Sequence, residues 1–205
     1  MPELRAILFD MDGVLVKSEE AWFQLVVRAG ALFRGRAVTR EEFFPNFGQG
    51  TTADVTAFGF RCTVPELDAF YVQNFGTYAA HLWVNPEAAP VVTQLREQGF
   101  AIAVVTNTVS ALTRDILGAA KLASLFDHVV CADQVPSAKP APDVVFRACE
   151  LLRVAPGEAL MVGDSRYDRA AAEAAGVRFV GLALAAPERI ESLRELVPLA
   201  TAAQR

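Results

Sequence analysis

The chain is short of several residues that commonly carry chemistry. It has three cysteines and two histidines in 205 residues. Cys62, Cys131 and Cys149 are odd in number and share no metal-ligand spacing, so they read as reduced core thiols in a reducing compartment. His81 and His128 form no recognisable arrangement with them, which argues against a thiol nucleophile. Positive charge is scarce too. With a net charge of −5 and three lysines, Lys17, Lys121 and Lys139, there is no broad basic footprint for nucleic acid, and any phosphate must be met locally. No apolar run is long enough to span a bilayer, and because the first strand-like run begins almost at Met1 no signal peptide is expected. The expectation is a cytoplasmic protein with neither a membrane nor a nucleic acid as partner.

What is present describes a folded protein. A hydrophobic content of 53% against 21% charged residues lies far from the disordered class, and the length suits one sizeable core with room for a small accessory domain. The chain is organised around Ile7-Leu8-Phe9-Asp10-Met11-Asp12-Gly13-Val14. An apolar run bounded by an acidic pair and a glycine reads as a short buried strand that presents two carboxylates at its carboxyl end. In open parallel sheets that end is where ligands bind. The pair suits divided labour, with Asp10 as nucleophile or metal ligand and Asp12 as general acid and base. Gly13 lets the chain turn away without a side chain filling the mouth of the site.

After Val16 the pattern turns helical. Residues 18–34 carry apolar side chains at helical spacing, with Ser18 as cap. Thr39-Arg40-Glu41-Glu42 is a capping box opening a second helix that Pro45 stops, a third spans about Thr52 to Phe58, and Val64-Pro65-Glu66 opens a fourth. The string Gly48-Gln49-Gly50-Thr51-Thr52-Ala53 has a dinucleotide-like spacing but follows a Phe-rich helical stretch rather than a strand. It reads better as a lid turn offering Gln49, Thr51 and Thr52 as polar contacts. Trp22 and Arg61 are further candidate cap contacts, whereas Phe43, Phe44 and Phe47 suit a cap core.

From Asn85 strands and helices alternate. Strands are expected at Ala101–Val105, Val129–Cys131, Glu158–Val162 and Val177–Leu184, with helices at Pro86–Gln98, Ser110–Gly118, Pro142–Arg153 and Arg169–Ala175. Pro187 to Leu196 is expected as a terminal helix, with a frayed tail from Val197 to Arg205. This succession predicts an α/β fold, a doubly wound parallel sheet of Rossmann-like form, with an all-helical cap inserted directly after the acidic mouth of the first strand. The core is expected to comprise residues 1–16 and 83–205, and the cap residues 17–82.

The strand ends share a chemical theme. The first ends in Asp10 and Asp12, the second in Thr106, a loop supplies Lys139, and a later strand ends in Asp164 with Asp168 four residues on. Each has a plain alternative: Thr106 could cap a helix, Lys139 could be solvated, and Ser165-x-x-Asp168 is itself a capping pattern. Four such coincidences in register with four strand ends favour a site.

These stretches resemble the haloacid dehalogenase superfamily, in its phosphatase and phosphomutase branch with a helical cap. The likeness rests on LFDMDGVL at Leu8 to Leu15, VVTN at Val104 to Asn107, KPAPD at Lys139 to Asp143 and VGDSRYDRAAAEAAG at Val162 to Gly176. The resemblance implies that Asp10 attacks phosphorus to form an aspartyl phosphate, and that Asp12 protonates the leaving oxygen and then activates water. It implies that Thr106, Asn107 and Lys139 hold phosphoryl oxygens. It further implies a Mg²⁺ ion on Asp10, the backbone carbonyl of Asp12, and Asp164, with Asp168 supporting the metal shell. A hard cation between an anionic nucleophile and an anionic phosphate answers their repulsion. Halide leaves without a proton, so Asp12 favours phosphoryl transfer over dehalogenation.

Two positions depart from the family pattern. Lys17 stands where relatives commonly carry an acidic residue, near the hinge into the cap, and Ala138 precedes Lys139 where glycine is usual. The implied activity is hydrolysis of a small phosphorylated metabolite by a monomer or small homo-oligomer. A sugar-phosphate mutase, whose lid would exclude water from the aspartyl phosphate, is the nearer alternative. A phosphoaspartate signalling module is the more distant one, because such domains are shorter and lack an inserted lid.

Overall fold

The computed structural model describes residues 3–203. Strand β1 (Ala6–Phe9) is followed by a tight loop and a two-residue strand, β2 (Val16–Lys17). Helices α1 (Glu19–Phe33), α2 (Arg40–Phe43), α3 (Thr51–Ala57) and α4 (Val64–Asn74) come next, the last continued by a 3₁₀ segment over Phe75–His81. Strand β3 (Trp83–Val84) then returns antiparallel to β2, pairing Val16 with Val84 and Lys17 with Trp83. The remainder alternates: α5 (Ala88–Glu97), β4 (Ala101–Thr106), α6 (Ser110–Ala119), β5 (His128–Cys131), α7 (Asp143–Leu152), β6 (Ala159–Gly163), α8 (Arg166–Ala175), β7 (Arg178–Leu182), β8 (Arg189–Ile190) and α9 (Leu196–Ala202).

Six strands form one sheet in the order β5-β4-β1-β6-β7-β8, every pairing parallel. Both of its faces are covered. Along β1, Ile7 and Phe9 enter an apolar cluster with α1, α5, α6 and α9, while Ala6 and Leu8 enter another with α7 and α8. That is why this strand reads as unbroken apolar sequence rather than as alternation. The doubly wound α/β architecture with its helical insertion is therefore as expected. The order reverses between β1 and β6, so the crevice at their carboxyl ends is the switch point where such folds bind ligands.

The helices of the insertion begin where their caps lie. Thr39 and Thr63 each accept from the backbone N–H three residues on, and Glu42 and Glu66 reach back, completing two capping boxes. The β2–β3 ribbon at the mouth of the insertion is a finding the sequence hid, since two-residue strands produce no alternation to detect. Lys17 lies in it, its ammonium 5.1 Å from the centre of the Trp83 ring.

The carboxyl-terminal expectation needs correcting. The first part of the expected helix, residues 187–192, is not helical, and only a 3₁₀ turn over Leu193–Glu195 leads into the helix: Gly181 N–H donates to the Glu188 carbonyl (2.9 Å) and Ala183 N–H to that of Ile190 (2.8 Å), drawing β8 onto the sheet edge. A bidentate pair of Arg178 with Glu188 (2.7 and 2.6 Å) fixes the register. The helix begins at Leu196, with Pro198 in its first turn where a missing N–H costs nothing. Nor is the tail frayed through the described residues, for Leu196, Val197 and Ala200 are buried beside α5. Gln204 and Arg205 lie outside the described residues.

Candidate active site

The turn after β1 builds the first half of the site. Asp10 N–H donates to the Val162 carbonyl (2.9 Å), which sets the Asp10 side chain, 5% exposed, beside the end of β6. Gly13 has φ +94°, and a Cβ there would sit 1.8 Å from an Asp164 carboxylate oxygen. Only glycine permits both the turn and the approach. At Gly163 the approach alone requires glycine, since a Cβ there would lie 2.4 Å from the Cβ of Asp168.

Asp12 is held by three donors. Its Oδ1 accepts from the Ser18 hydroxyl and from Trp22 Nε1 (3.2 Å), and its Oδ2 from the Thr108 hydroxyl (2.8 Å). Ser18 stands at the start of α1 as expected but makes no side-chain cap bond; fully buried, it faces Asp12 instead. Trp22, expected in the cap wall, touches Asp12 from the same helix. Thr108 was not singled out by sequence reasoning, although a second threonine two residues beyond Thr106 was a visible signal.

Lys139, 3% exposed, directs its ammonium to Asp10 Oδ1 (2.6 Å), Asp168 Oδ1 (2.6 Å) and the Val105 carbonyl (3.0 Å). The expected lysine thus joins the first strand's aspartate to the last motif's. Asp168 serves two ends at once, its Oδ2 accepting from the Ser165 hydroxyl (2.5 Å) in a capping box that starts α8. Thr106 is buried, and its Oγ1 accepts from Thr108 N–H (3.1 Å). Asn107 spans cap and core: its amide donates to the Gly48 and Lys139 carbonyls (both 2.9 Å), and its oxygen accepts from Lys139 N–H (2.8 Å).

Charge in this cluster is unbalanced, with four carboxylates facing one ammonium. Burial pushes the Asp10 carboxyl well above the ordinary range, and Asp168 adds to this while Lys139 opposes it. Burial likewise pushes Asp164 up to about 7, helped by Asp168. Burial pulls the Lys139 ammonium down, but Asp10 and Asp168 together outweigh it and hold it charged. Oxygens of Asp10, Asp164 and Asp168 lie within 4.8 Å of one another. An all-oxygen donor set with surplus negative charge fits a hard divalent cation such as Mg²⁺.

A cavity of 440 Å³ opens above the cluster, walled by the core loops on one side and the helical insertion on the other. Of the expected cap contacts, Trp22 and Thr51 line it together with Phe43, Phe44 and Phe47. Gln49, Thr52 and Arg61 do not; the Gln49 amide donates instead to Asp54 Oδ1 (3.0 Å). Asp54 itself lines the cavity and was missed, since a lone acidic residue in a short helix carries no signal of where it faces. All three cysteines are free, and burial raises the pKa of the two buried thiols, Cys131 and Cys149, in keeping with inert thiols.

A parallel sheet whose switch point gathers aspartates and one lysine beneath a helical insertion defines the class, an aspartate-centred α/β enzyme. Residues 7–182 match the family of haloacid dehalogenase-like hydrolases, and the chain belongs to that family. A pyrophosphatase PpaX of Anoxybacillus flavithermus is 30% identical to it over 192 residues, 88% of this chain and 84% of the relative. A phosphoglycolate phosphatase of Nitrosospira multiformis is 42% identical over 104 residues, covering 49% of this chain and 46% of the relative. Among solved structures, CbbY from Rhodobacter sphaeroides in complex with phosphate superposes with a TM-score of 0.79 at 25% identity, covering 94% of this chain and 96% of that one. The chain is an enzyme, a phosphatase of this family. No helix among the described residues is long and apolar enough to cross a membrane.

Proposed function

We propose that the protein hydrolyses a small phosphate monoester with the aid of Mg²⁺, through a phosphoryl group carried on Asp10. The observation that supports this most is the convergence on one ammonium of Asp10 and Asp168, which are 158 positions apart in the chain, both at 2.6 Å from Lys139 Nζ. In the first step a carboxylate oxygen of Asp10 attacks phosphorus, the bond to the leaving oxygen breaks, and Asp12 gives that oxygen its proton. In the second, Asp12 takes a proton from water, the water oxygen bonds to phosphorus, and the acyl phosphate bond breaks, returning Asp10 and releasing phosphate. Two displacements replace one difficult one, and Asp12 serves them in opposite protonation states.

Thr106 and Asn107, which line the cavity with Asp10 and Lys139, are proposed to contact the phosphoryl oxygens. All three N–H donors of Lys139 are engaged within the site, so Lys139 acts toward the phosphoryl oxygens as a fixed charge. Asp10, the Asp12 carbonyl, Asp164 and Asp168 would hold Mg²⁺ or its waters; when bound, the ion offsets repulsion between nucleophile and phosphate. The core is proposed as residues 1–16 and 83–205, with residues 17–82 as a cap hinged at the β2–β3 ribbon.

The test is hydrolysis of 4-nitrophenyl phosphate with Mg²⁺ or with chelator. Wild-type turnover is expected to vanish with chelator and return with Mg²⁺, and Asp10→Asn is expected to lower it by at least about 10³-fold. Turnover by the Asp10→Asn variant near the wild-type rate would remove the assignment.

A further inference from the structure

The cavity wall contributed by the cap is aromatic and carries a carboxyl group but no cap cation. Trp22, Phe43, Phe44, Phe47 and Tyr71 line it, with Asp54 among them. The Trp22 ring meets Tyr71 edge to face at 5.3 Å, and the Tyr71 hydroxyl donates to Asp54 Oδ2 (3.0 Å). Gln49 occupies one lone pair of Oδ1 (3.0 Å). A carboxylate offers about four acceptor positions, so these two donors leave unused capacity on Asp54, which lines the cavity. Burial pushes the Asp54 carboxyl up to about 7, and no ion pair to it is formed among the described residues. A carboxyl group kept beside aromatic rings without a counter-ion points to a ligand group rather than to stability.

The six lysines and arginines of the cap are all turned elsewhere, and His81 does not line the cavity. Arg34 and Arg36 pair with Glu42, Arg40 pairs with Glu20 over the Phe23 ring, and Lys17 lies over Trp83. Arg28 and Arg61 are exposed and line no part of the cavity. The cavity's cations are Lys139, at its base among aspartates, and Arg166, at its rim. Arg166 is exposed, donates to the Pro45 carbonyl (3.1 Å) and the Tyr167 hydroxyl (2.9 Å), and stacks over the Tyr167 ring. Nothing in the cap therefore answers a second negative charge on the substrate.

We infer that Asp54 is a specificity-determining residue that selects, with its aromatic neighbours, a phosphate monoester whose leaving group has an apolar body, carries no anionic group, and presents a hydrogen-bond donor. The inference rests on the proposed phosphatase reading and narrows its substrate class. It sets this chain apart from relatives whose names indicate anionic leaving groups, the carboxylate of phosphoglycolate and the second phosphate of pyrophosphate. The donor is a hydroxyl or a protonated amine, which present the same hydrogen to Asp54. At 440 Å³ the cavity has room for a ring beside the phosphoryl group.

The experiment compares kcat/KM for 4-(hydroxymethyl)phenyl, 4-(aminomethyl)phenyl and 4-carboxyphenyl phosphate, in wild type and in Asp54→Asn. Wild type is expected to favour the hydroxymethyl or aminomethyl ester over the carboxy ester by about 10-fold or more, the scale of one unmet charged contact. The better of the two donors identifies the group. Asp54→Asn is expected to shrink that ratio several-fold, and a ratio is immune to any uniform loss of activity. Equal or better wild-type use of the carboxy ester overturns the inference without recourse to the variant, and so does an unchanged ratio in the variant. If wild type hydrolyses none of the three while 4-nitrophenyl phosphate is also untouched, it is the phosphatase reading that fails.

Discussion

Lys139 gives all of its N–H donors to groups inside the protein, and by doing so it fixes where Asp10 and Asp168 point before any substrate arrives. A single ammonium cannot neutralise the surrounding carboxylates, so the site carries a standing deficit of positive charge. A divalent ion and the protonation of aspartates are the two ways of meeting it. Asp54 presents the same problem in the cap without a cation at hand. Its folded pKa of about 7 lies above the ordinary 3.8, so the stability it contributes is complete below about pH 4 and is lost as pH rises through 7. Relative to wild type, Asp54→Asn should therefore gain stability between pH 5 and pH 8. Because Asp54 lines a cavity, the gain should be roughly 1–2 kcal/mol, below the full linkage value of about 2.7 kcal/mol for that window. Urea unfolding at both pH values measures it, and a difference that does not change with pH would contradict a desolvated carboxyl.

At the scale of elements, the buried strands announced themselves because both faces of the sheet are covered, leaving runs such as Ala101–Val105 apolar throughout and ending abruptly in polar residues. The same logic made Asp10, Thr106 and Asp164 visible, since each follows such a run at a strand's carboxyl end. What stayed hidden depends on approach across long stretches of chain. Ser18 looked like a cap and is a partner of Asp12, and Thr108 reaches Asp12 from 96 residues away. The end of the chain misled for a local reason: Pro187 and Pro198 both suit the first turn of a helix, and only pairing of β8 with β7 decides between them. Because α9 packs on α5, Leu196→Ala should cost about 2–5 kcal/mol of unfolding free energy, as for other fully buried leucines. A loss below roughly 0.5 kcal/mol in denaturant titration would contradict the packing of α9 on the core.

For the molecule as a whole, the sheet supplies rigid placement and the insertion supplies contact. The two halves meet at Asn107, whose amide bonds the cap loop at Gly48 and the Lys139 backbone together, and at Trp22, which runs from the Tyr71 ring to Asp12. The group proposed to handle the proton is thus oriented partly by the cap, while the proposed nucleophile is oriented wholly by the core. On the proposed reading, this division separates bond-making at Asp10 from the choice of what leaves. It also allows the two chemical steps to be isolated, because an activated leaving group needs no proton whereas the incoming water must lose one. The measurement that bears most directly on the account is a rapid acid quench of Asp12→Asn with ³²P-labelled 4-nitrophenyl phosphate and Mg²⁺. The expected result is a burst of about one nitrophenolate per active site, little turnover afterwards, and label in the peptide that contains Asp10, released by hydroxylamine as an acyl phosphate. Continued turnover with neither burst nor bound label, or label on another residue, would contradict phosphoryl transfer to Asp10.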